Sequence, residues 1–151
     1  MPNPEPLSMQ DMLSGSLKSL ERSVSGRKVR IVRQIDPTTP PITARKGVMK
    51  KIIETILHEA AAGTEDGGRI RVCLKHNRAA VMISIKDDGP GMDPEDWIGR
   101  LGDASRPAAP GAPMSLAKCG AAVAGVGGNL FANARPGKGI TYYLTFPPPA
   151  E

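Results

Sequence analysis

Apolar and polar positions recur with two different periods along this chain. Leu13, Leu17, Leu20 and Val24 are spaced by four, three and four residues, which predicts one stripe of a helix from about Ser8 to Val24. Lys28 to Ile35 alternates basic and apolar residues, as a half-buried strand does. Asp36-Pro-Thr-Thr-Pro-Pro forces an extended connection, because each proline restricts the residue before it. From Thr43 the period is helical again. Val48, Ile52, Ile56 and Ala60 form a stripe that Ile53 and Leu57 widen, so a core helix is expected until Gly63 and Asp66-Gly67-Gly68.

Arg69 to Lys75 and Ala80 to Lys86 alternate strictly and are joined through His76-Asn77-Arg78, which predicts an antiparallel hairpin. Asp87-Asp88-Gly89-Pro90-Gly91-Met92 ends the second strand in a glycine-rich turn. Asp93 to Trp97 reads as the first turn of a short helix with Pro94 just inside it. Gly102 to Pro113 is a loop of small residues and prolines, and Met114 to Val126 is an Ala-rich helix ending at Gly127-Gly128. Asn129 to Asn133 and Ile140 to Phe146 are strands linked by Arg135-Pro136-Gly137-Lys138-Gly139. Strands arriving mostly as antiparallel pairs, with three long amphipathic helices in need of one apolar surface, predict an α/β two-layer sandwich. Its mixed, mostly antiparallel sheet is covered on one face by three helices. The domain is expected over residues 8–147, after a flexible lead (1–7) and before a tail (148–151).

The length of 151 residues suits one domain with a real core. Only 3% of residues are aromatic, so that core rests on Ile, Leu, Val, Met and Ala. No apolar run approaches the ~20 residues of a membrane span. The start, Met1-Pro-Asn-Pro-Glu-Pro, has no basic region followed by an apolar stretch, so neither a membrane segment nor a signal peptide is expected. Cys73 and Cys119 lie far apart with no metal-ligand spacing, which excludes a disulfide scaffold and a zinc ribbon and predicts a cytoplasmic chain. The net charge of +5 is uneven, at +6 over residues 1–51 and −1 over residues 52–151. The basic third suits an acidic partner or a phosphate. Without aromatic stacking platforms or a reading motif, no nucleic acid is expected.

Asp87-Asp88-Gly89-Pro90-Gly91 is the strongest local signal. Asp, Gly and Pro all favour turns, yet the glycines also let backbone approach a ligand closely. A carboxylate ending a strand there could accept a hydrogen bond from an exocyclic amine. His58-Glu59 lies on the core helix, but Ala62 stands where a zincin needs its second histidine. Glu54 and His58, four apart, suit a stabilising pair. Cys119 has no histidine placed to activate it and reads as a small buried hydrophobe. Lys138 lies outside any P-loop pattern.

In order, these pieces resemble the ATP-binding catalytic domain of two-component sensor histidine kinases, of the superfamily shared with gyrase, Hsp90 and MutL. The resemblance runs from about Ser8 to Pro147. It rests on Ile35-Asp36-Pro37-Thr-Thr-Pro40, on the Val48–Thr64 helix at the place of the N box, and on Asp87 to Gly91 as the D-x-G-x-G turn. It continues in Gly127-Gly128, Gly137-Lys138-Gly139 and the closing Phe146-Pro147. The implied fold is the Bergerat sandwich, with ATP held between the helices and a lid. By this alignment Asp87 contacts the adenine amino group, and Gly89 and Gly91 shape the pocket floor. Gly111 begins a phosphate loop that runs through Ser115 and Leu116. Thr55 and Glu59 stand where asparagines are usual, Glu59 at the Mg²⁺ position.

The departures lie on the phosphate side. The lid between Gly91 and Gly111 is short and lacks the usual phenylalanines, Pro113 has no N–H, and Ser115 carries a Cβ where close backbone approach needs none. Ile140 replaces the threonine after G-K-G. The resemblance therefore implies a histidine kinase-like ATP-binding domain of two-component signalling with ATP binding weakened or lost. Its cofactors are ATP and Mg²⁺ where the site works, and none where it does not. Its partners are a dimerisation and phosphoacceptor segment or a response regulator, and no catalytic residue is assigned, the phosphoacceptor histidine lying on another segment. The alternatives are a non-enzymatic docking module that regulates a kinase or regulator, and an anti-sigma-factor-type serine kinase.

Overall fold

A computed structural model describes residues 3–148; the expectations for residues 1–2 and 149–151 lie outside the described residues. In chain order the elements are β1 (Glu5–Leu7), α1 (Met9–Ser23), β2 (Arg30–Ile35), β3 (Ile42–Ala44), α2 (Lys46–Gly63), β4 (Arg69–His76) and β5 (Val81–Asp87). After them come α3 (Pro94–Gly102), α4 (Leu116–Gly125), β6 (Asn129–Ala134) and β7 (Ile140–Phe146).

The main sheet has five strands in the order β2-β4-β5-β7-β6. β2 and β4 are parallel, joined through the α2 crossover, and every other neighbouring pair is antiparallel. One face of this mixed sheet is buried under helices, as strict alternation predicts: Ile70, Val72 and Leu74 on β4, Val81, Ile83 and Ile85 on β5, and Leu144 and Phe146 on β7 point inward. The α1 stripe of Leu13, Leu17 and Leu20 and the α2 stripe of Ile52, Ile53, Ile56 and Leu57 close the core from the other side. At 0% exposure each, these seven residues form the dry interface between the layers. Ser8 starts α1 by accepting the Asp11 N–H at 3.2 Å, and Ser115 starts α4 by accepting that of Lys118 at 3.3 Å.

One feature differs from the expectation. The lead is not flexible as far as residue 7: Glu5–Leu7 forms β1 and pairs antiparallel with β3 in a small second sheet. Burial of Leu7 and its partner Ile42 holds the two strands together. Strands of three residues are too short to show a period, and their pairing is non-local. The fourth helix among the described residues, α3, is the short helix expected from Asp93, with Pro94 in its first turn, and it packs on α4 and β6.

Candidate functional site

The alternation of β5 carries one position past its apolar residues and turns the carboxylate of Asp87 inward. Asp87 is 1% exposed. Its Oδ1 accepts hydrogen bonds from the backbone N–H groups of Gly89 and Ile140, each at 3.0 Å. The carboxylate is thus fixed between its own turn and the start of β7. Its Oδ2 has no partner among the described residues. Burial pushes the carboxyl above the usual range, and the two N–H donors pull less strongly the other way. A buried acceptor left unpaired costs roughly 1–3 kcal/mol, so a donor supplied by a ligand would relieve a cost already present.

Glycine is required to build this corner. A Cβ on Gly89 would lie 1.8 Å from the carbonyl oxygen of Gly63 at the end of α2. Gly91 has φ +68°, and a Cβ there would lie 2.0 Å from the Arg135 carbonyl oxygen. The helix end, the Asp87 turn and the β6–β7 connection therefore meet backbone to backbone.

Beside Asp87 opens a cavity of about 590 Å³, within the range of small-molecule sites. Gly63, Pro90, Gly91, Met92, Ile140 and Tyr142 line it together with the proline-rich segment Pro107–Pro110. The Tyr142 hydroxyl is pushed up by burial and by the charges of Asp87 and Glu59, so it stays neutral. The Tyr142 ring is held edge-on by Trp97 of α3, with centroids 5.4 Å apart at 72°.

Besides Asp87, four charged residues share the same cavity: Glu59 from α2, Glu65 just after it, Arg100 from the last turn of α3, and Arg106 from the loop that follows. Glu59 is 7% exposed. Burial raises its carboxyl above the usual range, and the charges of Arg106 and Arg100 act against that rise.

Residues 46–150 match the family described as histidine kinase-, DNA gyrase B- and HSP90-like ATPases. The chain belongs to this family. Among curated proteins it is 29% identical, over 96% of its length, to the adaptive-response sensory kinase SasA of Prochlorococcus marinus strain MIT 9303, of which it covers 41%. It is 21% identical over 91% of its length to the alginate biosynthesis sensor protein KinB of Pseudomonas aeruginosa, of which it covers 23%. The chain thus spans less than half the length of these relatives. Among solved structures, the catalytic domain of the histidine kinase ThkA superposes with a TM-score of 0.85 at 14% identity, covering 97% of each chain. The mycobacterial sensor histidine kinase MprB gives 0.79 at 23% identity, over 98% of this chain and 99% of that one. Full-length ShkA in complex with AMPPNP gives 0.82 at 19% identity, over all of this chain and 33% of that one. The two-layer sandwich is therefore the histidine kinase ATPase fold.

Within this ATPase-family fold the residues singled out from sequence divide into two sets. Asp87, Gly91 and Glu59 line the one cavity, with Gly89 packed beneath the turn. Thr55, Gly111, Ser115 and Leu116 are not in its lining. Thr55 is buried and donates its hydroxyl to the Lys51 carbonyl at 2.7 Å within α2. Leu116 is in the core, and the Ser115 hydroxyl is occupied in capping α4. Gly111, at φ +82°, lies against the His58 ring, where a Cβ would come 2.9 Å from Nδ1. Burial holds His58 below the usual histidine range, so it is a neutral packing group under the lid. His76 Nδ1 lies 3.1 Å from Asp36 Oδ2 at the far end of β2 and β4. Burial pushes the Cys119 thiol up to about 12, which removes its nucleophilic form.

The expected Mg²⁺ position does not suit the ion. Magnesium takes oxygen ligands in near-octahedral order, whereas Thr55 is fully buried outside the cavity lining and two guanidinium groups act on Glu59. No cluster of three or more His, Cys, Asp or Glu that could hold a metal occurs among the described residues. Arg100, Arg106 and Tyr142 were not visible as site residues in the sequence. A lone arginine in a polar segment carries no motif, and Tyr142 reads only as an inward position of β7. No helix among the described residues is long and apolar enough to cross a membrane.

Proposed function

We propose that this chain is the nucleotide-binding domain of a two-component sensor histidine kinase, with its purine pocket kept and its hold on the phosphates weakened. Asp87 carries the reading: a fully buried carboxylate with one oxygen fixed by two N–H donors and the other unpartnered at the wall of a ligand-sized cavity. The 6-amino group of adenine is the donor that Oδ2 lacks. Burial makes that hydrogen bond strong and leaves a purine without the amine facing an unsatisfied acceptor.

The weak half is the approach to α4. Pro113 offers no N–H, and one of the free donors at the start of α4, that of Lys118, is already taken by Ser115 Oγ. A charge-assisted hydrogen bond contributes roughly 1.5–3 kcal/mol, so each donor lost weakens nucleotide about 10- to 150-fold. Phosphoryl transfer in this reading uses a phosphoacceptor histidine on a dimerisation segment and passes to a response regulator. In support, ThkA in complex with the response regulator TrrA superposes with a TM-score of 0.81 at 14% identity, over 97% of this chain and 42% of that one.

Calorimetric titration with ADP tests the reading. Asp87→Asn keeps an oxygen for the Gly89 and Ile140 N–H groups but turns an amide donor toward the adenine amine. Affinity should fall at least tenfold with the thermal melt preserved. Unchanged affinity in the variant would place the nucleotide elsewhere.

A further inference from the structure

We infer that Arg100 and Arg106, and not a divalent cation, supply the positive charge for the nucleotide phosphates, so that this pocket takes ADP and ATP free of metal. The inference rests on the purine pocket proposed above. Both arginines line the cavity that contains Asp87, and both come from the lid side of it. Neither forms an ion pair within 4 Å among the described residues, where the four ion pairs engage other groups. Arg106 is set in place by a turn in which its N–H donates to the Asp103 carbonyl at 3.2 Å. Oδ1 of Asp103 in that turn accepts from the Ser105 N–H and hydroxyl, at 3.0 and 2.6 Å. Among the described residues the two guanidinium groups thus reach the cavity without an ion pair within 4 Å, while Glu95, Asp96 and Asp103 line an adjoining hollow with them and the charge of Arg106 acts on Asp103.

Guanidinium groups are suited to this task. They stay charged at every accessible pH and offer paired donors that match phosphate oxygens. The same two charges act against a dication in this cavity, whose lining carboxylates are Glu59, Glu65 and Asp87. Glu59 then has a different part from the one its alignment implies. Buried at the same cavity, with the arginines acting on it only through their field, it opposes the phosphates when nucleotide arrives.

The test is calorimetric titration of the whole chain with ADP and with adenosine, in EDTA and in 5 mM MgCl₂ (an order-of-magnitude excess over nucleotide) at matched ionic strength. The expected result is ADP affinity in EDTA within about twofold of that in Mg²⁺, and well above that of adenosine. Arg100→Ala combined with Arg106→Ala should lower ADP affinity in EDTA about tenfold or more and leave adenosine unchanged, while Glu59→Gln should raise ADP affinity. An ADP affinity that collapses in EDTA, or that the double variant leaves intact, overturns the inference. Adenosine binding with no gain from the phosphates also overturns it while leaving the purine pocket standing. Failure of both ligands to bind ends the pocket reading itself, and this inference with it.

Discussion

Around Asp87 an added methyl group has nowhere to go, whereas along α3 on the lid side it meets open space. A Cβ on Gly89 would sit 1.8 Å from the Gly63 carbonyl oxygen; one on Gly99 of α3 meets nothing within 4 Å. The first region is fixed by backbone packed on backbone, and its central carboxylate is held by two N–H groups of the main chain. The second is a nine-residue helix followed by proline-rich loop, and its charged side chains reach the cavity without fixed partners. A purine is recognised by one directional hydrogen bond, which needs a rigid acceptor. A phosphate is recognised by charge, which mobile side chains can deliver. Substitutions can therefore damage the phosphate side of this pocket while its purine side stays intact.

This contrast can be broken most severely at Gly89. Gly89→Ala should destabilise the fold by about 3 kcal/mol or more, because the clash is with backbone that cannot step aside. Chemical denaturation measures it, and a loss under 1 kcal/mol would mean the corner is looser than the geometry indicates. Next in size is repair of the phosphate approach. Pro113→Gly together with Ser115→Gly should raise ADP affinity about tenfold, with a loss of only a few tenths of a kcal/mol from the altered cap. No gain in titration would show that the shortfall lies elsewhere in the lid.

Glu59 gives a smaller effect that depends on pH. Burial holds its carboxyl above the ordinary range in the folded chain, so folding binds protons there. The ionised group therefore costs stability as pH rises through the ordinary carboxylate range to its raised value, and by a constant amount above it. Glu59→Gln should match the parent in melting temperature in acid and exceed it near neutrality, by about 2–4 °C for each kcal/mol relieved. A difference that shrinks with rising pH would contradict the assignment. Smallest is Gly99→Ala, which should stabilise by about 0.5–1 kcal/mol through helix propensity alone and leave nucleotide affinity unchanged.

The layers and the corner at Asp87 were legible in the sequence for the same reason: both are written locally. The stripes of α1 and α2 and the alternation of β4, β5 and β7 each lie within one segment, and a carboxylate ending a strand before Gly89 and Gly91 marks its own turn. The pairing of β1 with β3 joins residues 35 or more apart in two three-residue strands, and no local period announces it. The strand order β2-β4-β5-β7-β6 follows from which faces bury together, not from any one strand. Arg100 and Arg106 escaped notice because a charge acquires a role only when a fold brings it to a cavity. The Thr55 hydroxyl shows the reverse: it holds a motif position but is satisfied within its own helix turn.

The central claim is that Asp87 reads the 6-amino group of a purine, and titration with ADP and with inosine diphosphate, which carries oxygen at that position, tests it most directly. The unmodified chain should prefer ADP about tenfold or more, and Asp87→Asn should lose or reverse that preference. Equal affinities for the two nucleotides in the unmodified chain would contradict it.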